Sequence, residues 1–208
     1  MKPENLLIIF ARPPVPGKTK TRLIPELGAT GAASLYTQLL SHTLAKVSEN
    51  NTWDIELCMA DRDMPQFVQQ IAVGLPLQIT YQHSGDLGER MFQALKSGLA
   101  RYQKVSLIGT DCPLIDSDLL QHTFALLNDV DLVFSPAEDG GYVQIAARKI
   151  QAGIFEKVEW GSAEVMAQTR KNILHSGLSV AYGDVLWDVD TPQDLARYYA
   201  FANDLPVV

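Results

Sequence analysis

Five consecutive apolar residues, Leu6 to Phe10, run straight into Ala11-Arg12-Pro13-Pro14-Val15-Pro16-Gly17-Lys18-Thr19-Lys20-Thr21-Arg22-Leu23. A short apolar run that ends in a Pro/Gly loop reads as a buried strand, and the loop after such a strand is the usual ligand position of an α/β protein. Lys18, Lys20 and Arg22 stand at alternate positions in that loop. Their expected target is a phosphate, the alternative being a solvated basic loop beside the sheet.

Gly17-Lys18-Thr19 invites comparison with a Walker A loop, but that motif needs a glycine five residues before Gly17, where this chain has Arg12. A Walker A loop also holds phosphate through backbone N–H groups, and Pro13, Pro14 and Pro16 have none to offer. Pro25 and Gly28 interrupt the residues where its helix would start. The loop is read instead as one stiffened by prolines, with side-chain cations making the contacts and Gly17 letting backbone approach a ligand.

That basic loop is a local exception. The 208 residues carry a formal charge of −7, which argues against general nucleic-acid binding. A hydrophobic content of 47% with 20% charged residues is globular composition, and the length fits one domain spanning 1–208. Cys58 and Cys112 lie in or beside apolar runs without metal-type spacing, and the four histidines are scattered, so free thiols and no zinc are expected. Met1-Lys2-Pro3-Glu4 leads almost at once into the first strand, leaving no room for a signal h-region, and no apolar stretch is long enough for a membrane span. A cytoplasmic protein without membrane partners is expected.

Strand and helix patterns alternate along most of the chain. Helical spacing covers Gly28 to about Val47, about Pro65 to Val73, Leu87 to Tyr102, the stretch capped by Asp116 or Ser117, Ser162 to about His175, and Thr191 to about Asn203. Strands are predicted at 54–60, 77–81, 105–108, 131–135, 142–147 and 179–182. This alternation predicts a mainly parallel sheet with helices on both faces, and 136–147 an antiparallel excursion within it.

Asp111 follows the predicted strand 105–108 at the carboxyl edge where such sheets bind ligands. A carboxylate facing the basic loop has the parts of a metal and diphosphate site, since Mg²⁺ needs one or two protein carboxylates plus phosphate oxygens. A helix-capping or turn Asp is the alternative. In Asp188-Val189-Asp190-Thr191-Pro192-Gln193-Asp194, helix initiation explains Thr191, Pro192 and Asp194 but leaves Asp190 unexplained. If Asp190 points into the crevice of Asp111, the two share a cation.

Asp139-Gly140 between two apolar runs is a hairpin signal, and Gly141 adds room for a ligand, with Asp139 an acceptor for sugar hydroxyls. Glu159-Trp160 offers an acid and an aromatic plate, though Trp is more often core. Gly85-Asp86-Leu87-Gly88-Glu89-Arg90-Met91 opens a helix whose positive end suits an anion or ribose, and cap chemistry explains it equally.

Taken together, Phe-Ala-Arg-x-Pro-x-Pro-Gly-Lys-x-Lys-Thr-Arg-Leu (10–23), Gly-Asp-Leu-Gly-Glu-Arg-Met (85–91), Gly-Thr-Asp-Cys-Pro (109–113), Pro-Ala-Glu-Asp-Gly-Gly-Tyr (136–142) and Asp-Val-Asp-Thr-Pro (188–192) resemble the small bacterial glycosyltransferase-like family labelled selenodomain-associated or arsenosugar-associated transferase. More distantly the chain looks like 2-phospholactate guanylyltransferase and molybdenum-cofactor nucleotidyltransferases. The resemblance implies a three-layer α/β/α sandwich of the nucleotide-diphospho-sugar transferase (GT-A) type. It also implies a nucleotide at the opening loop, and we assign that role to Ala11, Arg12, Gly17, Lys18, Lys20, Arg22 and Gly88. Mg²⁺ or Mn²⁺ is implied at Asp111 with Asp190, and the sugar or acceptor near Asp139, Gly140, Gly141 and Trp160. Asp111, Asp139 and Glu159 are the catalytic candidates.

The expected activity is metal-dependent glycosyl transfer from a nucleotide sugar to a small-molecule acceptor. Nucleotidyl transfer releasing pyrophosphate, or nucleotide binding without turnover, are the alternatives, and the chain is expected to act as a monomer or a homodimer. One departure is that relatives read Trp-Ser-Thr where this chain has Trp160-Gly161-Ser162.

Overall fold

The computed structural model describes residues 4–49, 52–62 and 65–203; Met1, Lys2 and Pro3, read above as the lead into the first strand, lie outside them. Among the described residues seven strands form one sheet: β1 (Asn5–Ala11), β2 (Asp54–Met59), β3 (Leu77–Tyr81), β4 (Lys104–Ile108), β5 (Leu132–Pro136), β6 (Tyr142–Ala147) and β7 (Val180–Tyr182), in the order β3-β2-β1-β4-β6-β5-β7. Only β6 runs antiparallel to its neighbours β4 and β5.

The helices are α1 (Ile24–Ser48), α2 (Pro65–Ala72), α3 (Leu87–Arg101), α4 (Ser117–Leu126), α5 (Val165–Ser176) and α6 (Pro192–Asn203). Alternate residues of β1 serve opposite faces. Leu7 and Ile9 pack with Tyr36, Leu40 and Leu44 of α1 and with Phe124 of α4, while Leu6 and Ile8 pack with Met91 and Leu95 of α3 and Ile173 of α5. Both faces being covered explains why the strand sequence is apolar without alternation. The expected three-layer, mainly parallel architecture is the one observed.

Local boundaries follow side-chain chemistry. Asp86 and Glu89 form a reciprocal capping box at the start of α3, and Asp116 caps α4 by accepting from the Leu119 N–H. In α1 the helical path breaks at Gly28 (φ 68°, ψ 167°), so the long regular stretch begins after it, as the Pro25 and Gly28 punctuation implies. The Asp139-Gly140 signal becomes the β5–β6 connection, with a register shift at Ser135/Pro136. The antiparallel strand is fixed in register by buried Gln144, which donates to Ser106 Oγ (3.0 Å) and accepts from Ser135 Oγ (2.7 Å) and Thr123 Oγ1 (3.2 Å).

The short edge strand β7 is tied in by Asp131, whose carboxylate accepts from the N–H and Oγ of Ser179 and pairs with Arg148 and Lys149. Burial alone would raise the Asp131 pKa, but these hydrogen bonds outweigh it and hold the carboxyl well below its ordinary value. A depressed folded-state pKa gives stability that is present above the ordinary carboxylate range and lost as pH falls through and below it. Asp131→Asn is therefore expected to cost about 1–2 kcal/mol near neutral pH. Chemical denaturation across pH should show the gap to the parent closing on acidification; a constant gap would remove the ion pairs from the explanation.

Candidate functional site

The chain reverses winding direction at β1 and β4: α1 leads from β1 to one face and α3 leads into β4 on the other. That switch point opens a crevice at the carboxyl ends of the two strands, the general ligand position in such sheets. Ala11 ends β1 there, and Gly109-Thr110-Asp111 follow β4.

Asp111 and Asp190 come together through backbone and side chain. The Val189 N–H donates to the Asp111 carbonyl (2.9 Å), and Val189 is buried with Leu23, Leu35, Leu39 and Trp187 in a small core of its own. On either side of buried Val189, Asp190 reaches the cavity of Arg12 and Lys18, and Asp188 reaches a neighbouring cavity. Asp194 accepts from the backbone N–H groups of Asp190 and Thr191 and from Thr191 Oγ1, so helix capping occupies Asp194 and leaves the Asp190 carboxylate to the crevice.

Both carboxylates face one cation, and it belongs to the chain. The Lys20 ammonium lies 2.9 Å from Asp111 Oδ2 and 3.6 Å from Asp190 Oδ1, and donates to the Val189 carbonyl at 2.7 Å. Its side chain is 4% exposed. Lys18, Lys20 and Arg22 all line one cavity, but the Lys20 ammonium is engaged by the two carboxylates. Lys20 sits in the left-handed region (φ 50°), which breaks the alternation and turns its side chain inward. Such a conformation is costly for a non-glycine residue and marks a site where surrounding contacts hold it. Arg22 pairs with Asp190, while Arg12 and Lys18 are exposed on the wall of a 240 Å³ cavity that also includes Tyr36, Asp111 and Asp190. Within the loop the Val15 N–H donates to the Pro13 carbonyl and the Lys18 N–H to the Val15 carbonyl, while Arg12, Lys18 and Arg22 bring positive charge to the cavity wall.

Tyr36 was not evident from sequence. It belongs to the core stripe of α1, and its hydroxyl accepts the Arg12 N–H (2.9 Å) where the cavity ends. Burial, with the Asp111 carboxylate adding, pushes its pKa up to about 12, so it stays protonated. A second cavity of 270 Å³ shares Arg12, Tyr36 and Asp111 with the first and extends past Ala11 and Ala60 to Gln82 and Arg90. Gln82 is fixed by donating to the Cys58 carbonyl (3.1 Å) and accepting from Arg90 Nη1 (3.1 Å).

A third cavity of 190 Å³ lies on the other side of the carboxylates, lined by Asp139, Gly141, Trp160 and Asp188 among others. Asp188, two residues before Asp190, carries no signal of a role in the sequence but lines this cavity. Burial, then the Asp139 carboxylate, with Asp111 and Asp190 adding and Lys20 opposing, pushes its pKa up to about 6. Asp139 accepts the Gly141 N–H at 2.8 Å. Gly161 (φ 84°) needs a glycine conformation, and both it and Ser162 line the cavity, the Ser162 hydroxyl accepting the Glu164 N–H.

Four expected residues have other surroundings. Gly88 is buried against Trp160, a Cβ there would fall 2.6 Å from the indole, and the residue lines a separate 640 Å³ cavity with Gly85, Asp86 and Phe92. Gly140 similarly accommodates the Ala163 carbonyl, 2.1 Å from a Cβ, and is a packing glycine. Glu159 is exposed, its N–H donates to Gln168, and it lines none of the three cavities. Gly17 (φ 82°) shapes an exposed turn outside the cavity wall. Cys112 is buried with its thiol pKa pushed up to about 11 by burial, which excludes a resting thiolate.

Among the described residues no group of three His, Cys, Asp or Glu is arranged to hold a metal by itself. Asp111 and Asp190 nevertheless fit a hard divalent ion that draws its other ligands from phosphate, because both already converge on a single cationic centre. Among the described residues no helix is long and apolar enough to cross a membrane.

Residues 43–162 match the family described as an uncharacterized protein conserved in bacteria (DUF2064). No curated protein matches the sequence. Among solved structures, a Desulfovibrio desulfuricans G20 protein assigned as a nucleotide-diphospho-sugar transferase has a TM-score of 0.89 at 31% identity, covering 98% of this chain and 89% of that one. The 4-diphosphocytidyl-2C-methyl-D-erythritol synthase of Anaerococcus prevotii has a TM-score of 0.65 at 17% identity, covering 96% of each chain. A cytidylyltransferase from Leptospira borgpetersenii has a TM-score of 0.61 at 14% identity, covering 100% of this chain and 89% of that one. At such identities the last two speak for the fold alone.

Proposed function

We propose, from the premise that this chain belongs to the DUF2064 family of bacterial proteins, that it is a transferase acting on a nucleotide-activated substrate, with glycosyl transfer from a nucleotide-diphospho-sugar as its reaction. The observation that carries this reading is the convergence of Asp111 and Asp190, 79 positions apart in sequence, beside a cavity walled by Arg12, Lys18 and Arg22. The assignment of the Desulfovibrio structure supports the same class of substrate.

In this reading the nucleoside lies in the cavity bounded by Ala11, Ala60, Gln82 and Arg90, where Gln82 and Arg90 are already oriented by their mutual hydrogen bond. The diphosphate continues into the cavity of Arg12, Lys18 and Arg22, whose side chains screen its charge. Asp111 and Asp190 would hold Mg²⁺ or Mn²⁺, which supplies neutralisation of the charge that develops on the departing diphosphate. Tyr36 fixes the backbone of Arg12 and closes the inner wall. The transferred group and its acceptor meet in the cavity of Trp160, Asp139 and Asp188, and one of these two carboxylates takes the proton of the attacking hydroxyl.

Nucleotidyl transfer is the second reading. The position of the basic cavity as a separate branch able to receive pyrophosphate favours it.

A thermal-shift panel of nucleoside triphosphates and nucleotide sugars, with and without Mg²⁺ or Mn²⁺, tests the shared premise. A ligand at a hundredfold excess over Kd stabilises by about 2.7 kcal/mol, which is readily measured. A nucleotide sugar is expected to raise Tm, and to do so more strongly with metal. Release of nucleoside diphosphate then marks glycosyl transfer, and release of pyrophosphate marks nucleotidyl transfer. No response to any nucleotide would remove both readings.

A further inference from the structure

Positive charge is strongly segregated along the cleft. The phosphate-side cavity carries Arg12, Lys18, Lys20 and Arg22. Beyond the carboxylates, the 190 Å³ cavity of Trp160 opens onto a further 150 Å³ through Leu87, Met91, Tyr142 and Val143, which line both. Among the described residues neither of these two cavities is lined by a lysine or arginine, and the first presents two carboxylates, Asp139 and Asp188.

The neighbouring cations stand outside both cavities, Lys157 lining a different one with Gly88 and Phe155. Lys20 is held by Asp111 and the Val189 carbonyl, Arg197 by Glu138 at 2.8 Å, and Arg90 by Gln82. A divalent ion at Asp111 and Asp190 would be taken up by the phosphates of the nucleotide. A phosphate or carboxylate carried into the Trp160 cavity therefore meets two like charges and no compensating donor of positive charge, an arrangement that rejects anions. The carboxylates accept hydrogen bonds and donate none, so the complementary ligand must bring hydroxyl donors. Leu87, Met91, Tyr142 and Trp160 give it apolar walls suited to the C–H face of a ring.

We infer that the Trp160 cavity selects an uncharged, hydroxyl-bearing ring and excludes its phosphorylated counterpart. This inference rests on the transferase reading above and goes beyond it. Whichever bond the enzyme breaks, the group received here is a neutral polyol and not a sugar phosphate.

Trp160 provides the signal for a test, since Trp53 and Trp187 are only 6% and 4% exposed and line neither cavity. The full chain is titrated with the methyl α-pyranosides of glucose, mannose and galactose and, separately, with the three corresponding 6-phosphates, following tryptophan emission. Saturation-transfer NMR on the unaltered protein reads the same binding without any substitution. At least one neutral glycoside is expected to bind with an emission change that Trp160→Phe abolishes, and its 6-phosphate to bind about tenfold or more weakly. Asp139→Lys is expected to narrow or reverse that ratio. A 6-phosphate binding as tightly as the neutral glycoside overturns the inference, as does the absence of binding by every neutral glycoside. The nucleotide thermal shift on the same sample separates the two proposals. Nucleotide binding without glycoside binding removes only this inference, and glycoside binding without nucleotide binding removes only the transferase reading.

Discussion

Asp111→Asn is expected to reduce turnover about a thousandfold or more while leaving the protein folded. Asparagine keeps the shape of the side chain and an oxygen toward Lys20, so the 2.9 Å contact survives as an ordinary hydrogen bond. What is lost is a full negative charge at the point where Asp111 and Asp190 face one cation. In the proposed function that charge anchors the metal, and the metal's stabilisation of the departing diphosphate amounts to several kcal/mol, each 1.36 kcal/mol being tenfold in rate. The loss should appear in kcat as well as in the metal dependence of nucleotide binding, since an interaction made chiefly in the transition state lowers kcat and kcat/KM together. Measuring kcat and the metal-induced thermal shift on one preparation checks both. If Asp111→Asn retained metal-dependent nucleotide binding and activity, its catalytic assignment would fail. If the parent binds nucleotides and metal but turns over no donor, the chain is a nucleotide-binding protein that lacks catalysis.

The layers of the fold were legible because local patterns dictate them. Uninterrupted apolar strands, helices of 3.6-residue period and the Asp139-Gly140 turn each specify their own element, and the antiparallel β6 follows from that turn. The site was legible where chain chemistry is local as well. Helix capping accounts for Asp194 and so exposes Asp190 as the residue left to the crevice. Long-range packing was not legible. Gly88 and Gly140 advertise missing side chains, but only the fold shows that Trp160 and the Ala163 backbone fill those spaces. Tyr36 reads as one more apolar position of α1 until the fold places that side chain on the cavity wall. The inward turn of Lys20 depends on a left-handed backbone that lysine does not advertise.

Lys20→Met is expected to destabilise the protein by about 2–3 kcal/mol near neutral pH, or a fall in Tm of roughly 5–10 °C for a chain of this size. Methionine matches the stem in length and flexibility, so packing around it changes little. The change removes one buried ammonium and leaves the Val189 carbonyl, Asp111 and Asp190 without their shared donor. Breaking a fully buried pair from one side costs about 3–5 kcal/mol, and the lower figure reflects carboxylates that are 41% and 37% exposed and so partly rehydrated. Arg22 still pairs with Asp190 in the variant, which makes Asp111 the more strongly affected partner. The same change vacates the one position both carboxylates face. Mg²⁺ or Mn²⁺ without nucleotide should therefore restore part of the lost Tm in Lys20→Met, and should shift the parent little because its ammonium already neutralises the pair. Thermal denaturation of both proteins against metal concentration reads both effects. A variant as stable as the parent and indifferent to metal would show that the ammonium does not hold the carboxylates together. A variant that metal rescues would mark Lys20 as the internal counter-ion that keeps the pair in place until a nucleotide brings its own cation.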